Sequence, residues 1–170
     1  MKTSFADSLV IISSQILTQE ESDLVHQTVK LLQDSLFRSE VPPLSDILRS
    51  KLTKRLFDVL NTPVSEFLES NDSAGLRKFL DSLIKIIEQT EVIRINLAYE
   101  PSQDGIREIS QWIDSEIEKH AVIDINVDKT ILGGISLVYR GRFWEKTLQQ
   151  MISDVITQHR EAINQELIHD

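Results

Sequence analysis

The apolar residues change period near residue 90, and this change limits the chain to a fold in which a helical part precedes a mixed one. Up to Ile87 nearly every apolar side chain recurs at helical spacing, and Phe5, Leu9, Ile12 and Ile16 would line one side of a first helix. Thr18-Gln19-Glu20-Glu21 is a capping box, in which the hydroxyl takes one orphan N–H and the glutamate reaches back to another. Behind it Leu24, Val25, Val29, Leu32 and Leu36 form an apolar stripe. Pro42-Pro43 stops that helix, and Pro43 can open the next, whose face is Leu44, Ile47, Leu48, Leu52, Leu56 and Leu60. Asn61-Thr62-Pro63 reads as a further break. A short helix with Val64, Phe67 and Leu68 then meets the turn Asn71-Asp72-Ser73, and a longer helix carries Leu76, Phe79, Leu80, Leu83, Ile84 and Ile87.

After Thr90 the run Val92, Ile93, Ile95, Leu97 is β-branched and strand-like, and it ends at Tyr99-Glu100-Pro101. Residues 102–119 return to helix, with Ile106, Ile109, Ile113 and Ile117 on one face beside Trp112, which is expected in the core. From Ala121 to Val127 the pattern alternates, sending Val122, Asp124 and Asn126 one way and Ile123, Ile125 and Val127 the other. Strand, helix, strand is the pattern of a right-handed crossover. Ile135 to Tyr139 and Arg142 to Glu145 are expected as a hairpin with Arg140-Gly141 at its tip. A long helix should start at about Lys146, with Leu148, Met151, Ile152, Val155, Ile156 and Ile163 as its apolar face. The expected fold class is α+β, with an N-terminal helical bundle at 1–90 and a small β-α-β-β-α unit at 91–170.

Several functions are disfavoured by residue type alone. Cysteine is absent, which removes disulfides, thiolate metal sites and a thiol nucleophile, and suits a reducing compartment. Eighteen basic against 27 acidic residues give a formal charge of -9, the wrong sign for a nucleic-acid partner. No apolar run approaches the roughly 20 residues that span a bilayer, so no direct membrane insertion is expected. No G-x-G-x-x-G occurs, and Lys146-Thr147 follows Glu145 where a phosphate-binding loop needs glycine. His26, His120, His159 and His169 lie far apart, and the spacing of Glu166 and His169 lacks the further ligands that a metal site requires. Glu108, Asp114, Glu116 and Glu118 read as the wet side of a helix. No catalytic, metal-binding or cofactor-binding residue is therefore expected, and the chain reads as a non-enzyme. Gly133-Gly134 reads as backbone geometry: a bulge or a close backbone approach between two strands, with Asp128 capping the turn. Trp144, on a hairpin strand flanked by charges, fits a core residue and an exposed anchor equally well.

The run V-D-K-T-I-L-G-G-I, Val127 to Ile135, is followed by a strand, a turn, a strand ending in an acidic residue two before a hydroxyl residue (Glu145, Thr147), and a helix. This resembles the C-terminal signature of the F-type ATP synthase delta subunit, called the oligomycin sensitivity-conferring protein in mitochondria. The likeness extends back through Tyr99-Glu100-Pro101 to the strand that begins at Val92. The chain departs from the family pattern at Arg140-Gly141-Arg142, where an acidic tip is usual, at Lys146, where a small residue is usual, and at Phe143 and Trp144, which replace aliphatic residues. The resemblance implies an N-terminal bundle of six helices that contacts the α subunits of the catalytic head, and a C-terminal unit that holds the b subunits of the peripheral stalk. It implies a non-catalytic stator without a cofactor, peripheral to the cytoplasmic face of a bacterial plasma membrane or its organellar equivalent. Asp128, Gly133, Gly134, Glu145 and Thr147 would be its structural signature; Phe5, Leu9, Ile12, Phe143 and Trp144 are the candidate partner-binding residues. The alternatives from other classes are a small-ligand regulatory domain, since mixed sheets serve many functions, and a helical adaptor in an unrelated assembly.

Overall fold

The computed structural model describes residues 5–36 and 43–147. Five helices come first: α1 (Phe5–Gln15), α2 (Gln19–Ser35), α3 (Leu44–Lys51), α4 (Lys54–Glu69) and α5 (Ser73–Gln89). They are followed by β1 (Val92–Leu97), α6 (Gln103–Glu116), β2 (Val122–Val127), β3 (Gly134–Tyr139) and β4 (Arg142–Thr147), which makes the chain α+β with a helical N-terminal region. The long helix expected beyond β4, with Leu148, Met151, Ile152, Val155 and Ile156, lies outside the described residues.

Local chemistry explains the helix starts. At α2, Thr18 Oγ1 accepts from Glu21 N at 3.2 Å while Glu21 Oε2 accepts from Leu17 N at 3.0 Å, so the box closes on the residue before the cap. At α5, Asp72 Oδ1 accepts from Gly75 N at 2.8 Å. A Cβ at position 75 would fall 2.2 Å from Asp72 Oδ2, so glycine is what lets this cap close.

The middle of the bundle differs from the sequence reading. The helix expected to run from Leu44 through Leu60 is broken at Leu52-Thr53, both of them extended, with Thr53 as the N-cap of α4. The break expected at Asn61-Thr62-Pro63 does not occur, and α4 passes through Pro63. Proline removes one N–H and so leaves the Val59 carbonyl without its usual partner. That local loss is opposed by burial, since Leu56, Leu60, Pro63 and Val64 all lie on the buried side of α4. Apolar residues four apart, Leu48, Leu52, Leu56 and Leu60, run straight across the real break and hide it from a periodicity argument.

Phe79 of α5 is fully buried, with the Phe5 ring edge-on at 5.6 Å and 83° and the Phe67 ring tilted against it at 5.6 Å. The polar fastening of the bundle is Arg55 of α4. Its guanidinium donates to the backbone carbonyl of Gln15 at the end of α1 and to the carboxylate of Glu21 in the first turn of α2. α1 has no basic residue in its own last turn, so Arg55 supplies the positive charge that a helix C-terminus favours. Exposed bonds from His26 to Glu88 at 3.4 Å and from Gln33 to Asp81 at 2.7 Å join α2 to α5.

Contacts do not divide the chain by a single cut at residue 90. The helical unit, which extends to Val92, also includes Arg107–Val122, and the second unit consists of Ile93–Ile106 with the residues from Ile123 onward. Val122 accordingly belongs to the same buried cluster as the bundle residues. Ile113 is 1% exposed, as expected from its place on the apolar face of α6, while Trp112 beside it is only half-buried where a core position is expected.

The sheet has the order β2-β1-β3-β4. β1 pairs antiparallel with β3, Ile95 facing Leu137, and β3 pairs antiparallel with β4, Leu137 facing Trp144. β2 runs parallel to β1: Val122 N donates to Glu91 O at 2.9 Å and Asp128 N to Leu97 O at 2.8 Å, advancing equally along both strands. The same register sets Arg94 against Asp124 and Asn96 against Asn126, each bonded at 2.8 Å across a separation of 30 residues. Ile93, Ile95 and Leu97 alternate with these polar positions and are buried. β4 continues to Thr147, two residues beyond the expected strand end at Glu145.

Phe79→Ala is expected to cost about 3–5 kcal/mol, because it empties the aromatic contact of three helices. Arg55→Ala should cost about 1–3 kcal/mol, since it strands a partly buried carboxylate and a helix-end carbonyl. Thermal melts followed by circular dichroism measure both, and an unchanged midpoint for Arg55→Ala would mean that the clamp contributes no stability.

Candidate functional site

The residues singled out by the family resemblance meet at the connection from β2 to β3. To follow this sheet order the chain must leave β2, pass the end of β1 and enter on its far side, a distance of two strand spacings or roughly 10 Å. It does so while bonded to β1 on both flanks, through Asp128 N to Leu97 O at 2.8 Å on entry and Ala98 N to Gly134 O at 3.3 Å on exit. The first corner is an Asx turn, in which Asp128 Oδ1 accepts from Thr130 N at 2.9 Å and from Thr130 Oγ1 at 2.7 Å. These two bonds, the hydroxyl first, hold the Asp128 carboxyl below its ordinary value of 3.8. The second corner is Gly133-Gly134, with φ of 75° and 99°, a backbone region that side chains with a Cβ rarely adopt. Gly134 then starts β3 opposite Thr147, and Ser136 faces Glu145. Asp128, Gly133 and Gly134 thus form one turn, and strand pairing brings Thr147 to it and sets Glu145 two residues along β4.

The hairpin tip is as expected in position and in chemistry. Arg140 and Gly141 have φ of 47° and 75°, and two positive values are what the tightest right-twisted hairpin turn demands. Arg140 covers this non-glycine conformation by laying its guanidinium over the Tyr139 ring at 4.9 Å.

The candidate partner-binding residues separate into three groups. Leu9 and Ile12 are 7% and 1% exposed, so the apolar face of α1 is used up in packing on α4 and α5 and cannot also meet a partner. The exposed apolar residues of α1 are Phe5, Val10 and Ile11. Phe5 also lines an open cavity of about 390 Å³ with Ser8, Pro63, Glu66, Phe67, Ser70, Asp72 and Phe79. Trp144 is half-buried, on the side of the sheet where it faces Leu137. Phe143 is 62% exposed on the other side, directly opposite Val138, which is also 62% exposed. Val138 was missed by the sequence reading; its signal was the two-residue period of a strand, which puts it out of phase with the buried Leu137 and Tyr139 at the end of β3.

Among the described residues no group of three or more His, Asp or Glu side chains is placed to hold a metal ion. The His26 ring pairs with Glu88, and the backbone N–H of His120 donates to the Asp114 carboxylate at 2.9 Å. His159, Glu166 and His169 lie outside the described residues. No described helix is long and apolar enough to cross a membrane. Compared with known proteins, the chain matches no family model and no curated sequence.

Gly134→Val is expected to destabilise the protein by about 1–3 kcal/mol, because it forces a β-branched residue to a φ of 99°. An unchanged melting midpoint would show that the turn can relax. Because the folded-state pKa of Asp128 is lowered, the turn's contribution is complete at neutral pH and is lost as pH falls below 3.8 and through the folded value. Carbon-detected titration should give Asp128 a midpoint below 3.8, moved upward by Thr130→Val; a midpoint unaffected by that substitution would remove the hydroxyl as the cause.

Proposed function

We propose that this chain is a non-catalytic stator connector of an F-type proton-translocating ATP synthase, linking the α subunits of the catalytic head to the b subunits of the peripheral stalk. The observation that carries the reading is the β2–β3 connection. The V-D-K-T-I-L-G-G run on which the resemblance rests forms one compact turn, in which an aspartate cap and two left-handed glycines carry the chain around the end of β1. The element order, helices and then β-α-β-hairpin, supports the same reading, although five helices precede β1 among the described residues where the resemblance implies six.

A stator bears load through interfaces, so its requirements are rigid elements and separate faces that accept partner helices. In the helical unit, Phe5 and the cavity it lines offer an aromatic seat with carboxylates, Glu66 and Asp72, for a helix from the head. In the second unit the exposed residues of the hairpin offer a face for the stalk. On this reading the protein is peripheral to the cytoplasmic face of a bacterial plasma membrane, or to its organellar counterpart, and is held there through the complex.

Membranes depleted of this chain should keep ATP hydrolysis and lose ATP-driven proton pumping, and adding the purified protein back should restore pumping. Normal pumping in fully depleted membranes with an intact stalk would overturn the proposal. In that case calorimetric titration with nucleotides and amino acids tests the small-ligand reading, because a 390 Å³ cavity lies within the size range of ligand sites.

A further inference from the structure

We infer that the cavity between α1, α4 and α5 binds a small alkylated ammonium ion, its alkyl groups against Phe5 and Phe67 and its charge toward Glu66 and the C-terminal turn of α4. The inference concerns the chain alone and does not rest on the stator reading. On that reading the same cavity seats a helix from the head, with which the ion would compete.

The walls of the cavity are aromatic. The rings of Phe5 on α1 and Phe67 on α4 each stand 5.6 Å from that of Phe79, which is fully buried and forms the floor, and Pro63 adds further apolar surface. Phe5 is 38% exposed and Phe67 is half-buried, so both keep surface that a ligand can cover. A volume of about 390 Å³ lies at the small end of ligand sites, which suits a compact molecule.

The polar groups decide the charge of the occupant. Glu66 and Asp72 are exposed carboxylates, and no Lys, Arg or His is among the residues that line the cavity. The Ser70 hydroxyl donates to the carbonyls of Glu66 at 2.9 Å and Phe67 at 3.1 Å, so it has only lone pairs left to offer. Ser8 can serve as donor or acceptor. Helix electrostatics adds to this excess of acceptors. Glu66 and Phe67 stand in the last turn of α4 and Ser70 is its C-cap; this is the negative end of a helix, and no basic residue in that turn offsets it. The positive N-terminus of α5 is already met by Asp72, whose Oδ1 accepts from Gly75 N. The cavity thus combines acceptors and a negative helix end with aromatic rings, whose faces attract cations. A bare metal ion does not match it. The described residues include no group of three or more His, Asp or Glu placed to hold one, and an aromatic wall supplies a metal with no oxygen ligands. An ammonium ion carrying alkyl groups matches both the charge and the walls.

The test is an NMR titration of the full-length, isotope-labelled protein with choline chloride, at an ionic strength held constant with sodium chloride. Saturable shifts are expected at the amides of Phe5, Phe67 and Ser70. The neutral carbon isostere of choline, a dimethylbutanol, should bind about tenfold more weakly, because it has the same shape without the charge. Glu66→Gln should weaken choline about fivefold and leave the alcohol unchanged, and Phe67→Leu should weaken choline by a similar factor. Glu20→Gln, on α2 and outside the cavity, should leave both affinities unchanged. Phe67 also packs on Phe79, so the melt of each variant is recorded; Glu66→Gln removes only an exposed carboxylate and tests the charge even if Phe67→Leu unfolds. Equal binding of choline and the alcohol would overturn the inference, as would an equal loss in Glu20→Gln, the same shifts from magnesium chloride, shifts confined to residues outside the cavity, or no saturable shift. The depletion experiment on proton pumping reads none of these quantities, so the stator reading and this inference fail separately.

Discussion

The sheet depends on the chain's passage around the end of β1. β2 lies on one side of β1 and β3 on the other, and the six residues between them must cover two strand spacings and reverse direction without losing the end groups of β1. The Leu97 carbonyl and the Ala98 N–H are both satisfied by this connection, so it completes the ladder as well as spanning it. Two successive positive φ values make the reversal possible, and glycine is the residue that adopts them without strain. If β3 failed to seat against β1, the hairpin would have nothing to pair with, and an isolated two-stranded hairpin is marginal in water.

The helical unit is organised differently. Its core is assembled from residues spread over five helices, and non-directional burial tolerates local irregularity. Pro63 shows this tolerance. A missing hydrogen bond in mid-helix is a local defect, whereas unwinding α4 there would expose Leu60 and Val64 together. Directional contacts matter where helix ends meet, and Arg55 joins the end of α1, the start of α2 and the start of α4 with one side chain. Arginine suits the position because its planar fork can donate to a carbonyl and a carboxylate at once.

Function, on the proposed reading, follows from surfaces that the packing leaves over. α1 spends Leu9 and Ile12 on the core and leaves Phe5 at the lip of a cavity; the hairpin sends Trp144 to the Leu137 side and leaves Phe143 beside Val138. In each case the difference between a core residue and an anchor is which neighbouring element covers it. Residue type is the same for both roles.

The change of period near residue 90, the capping box at Thr18, the strands at Val92, Val122 and Gly134 and the tip at Arg140-Gly141 were all legible in the sequence, because each rests on residues within one or two turns of each other. Local sterics and local hydrogen bonds act in the unfolded chain and need no tertiary partner. The break at Leu52-Thr53, the continuity through Pro63, the grouping of Arg107–Val122 with the helices and the burial of Leu9 and Ile12 were not legible. These depend on contacts between segments far apart in sequence, where the gain from burying a shared core outweighs a local preference. The sequence by itself determined the α+β class, the succession of the strands along the chain and the glycine turn, whereas the sheet order came from the tertiary structure. Only the tertiary structure decided which apolar residues are hidden and which are left for a partner, because exposure belongs to the packing of elements against one another and not to any residue alone.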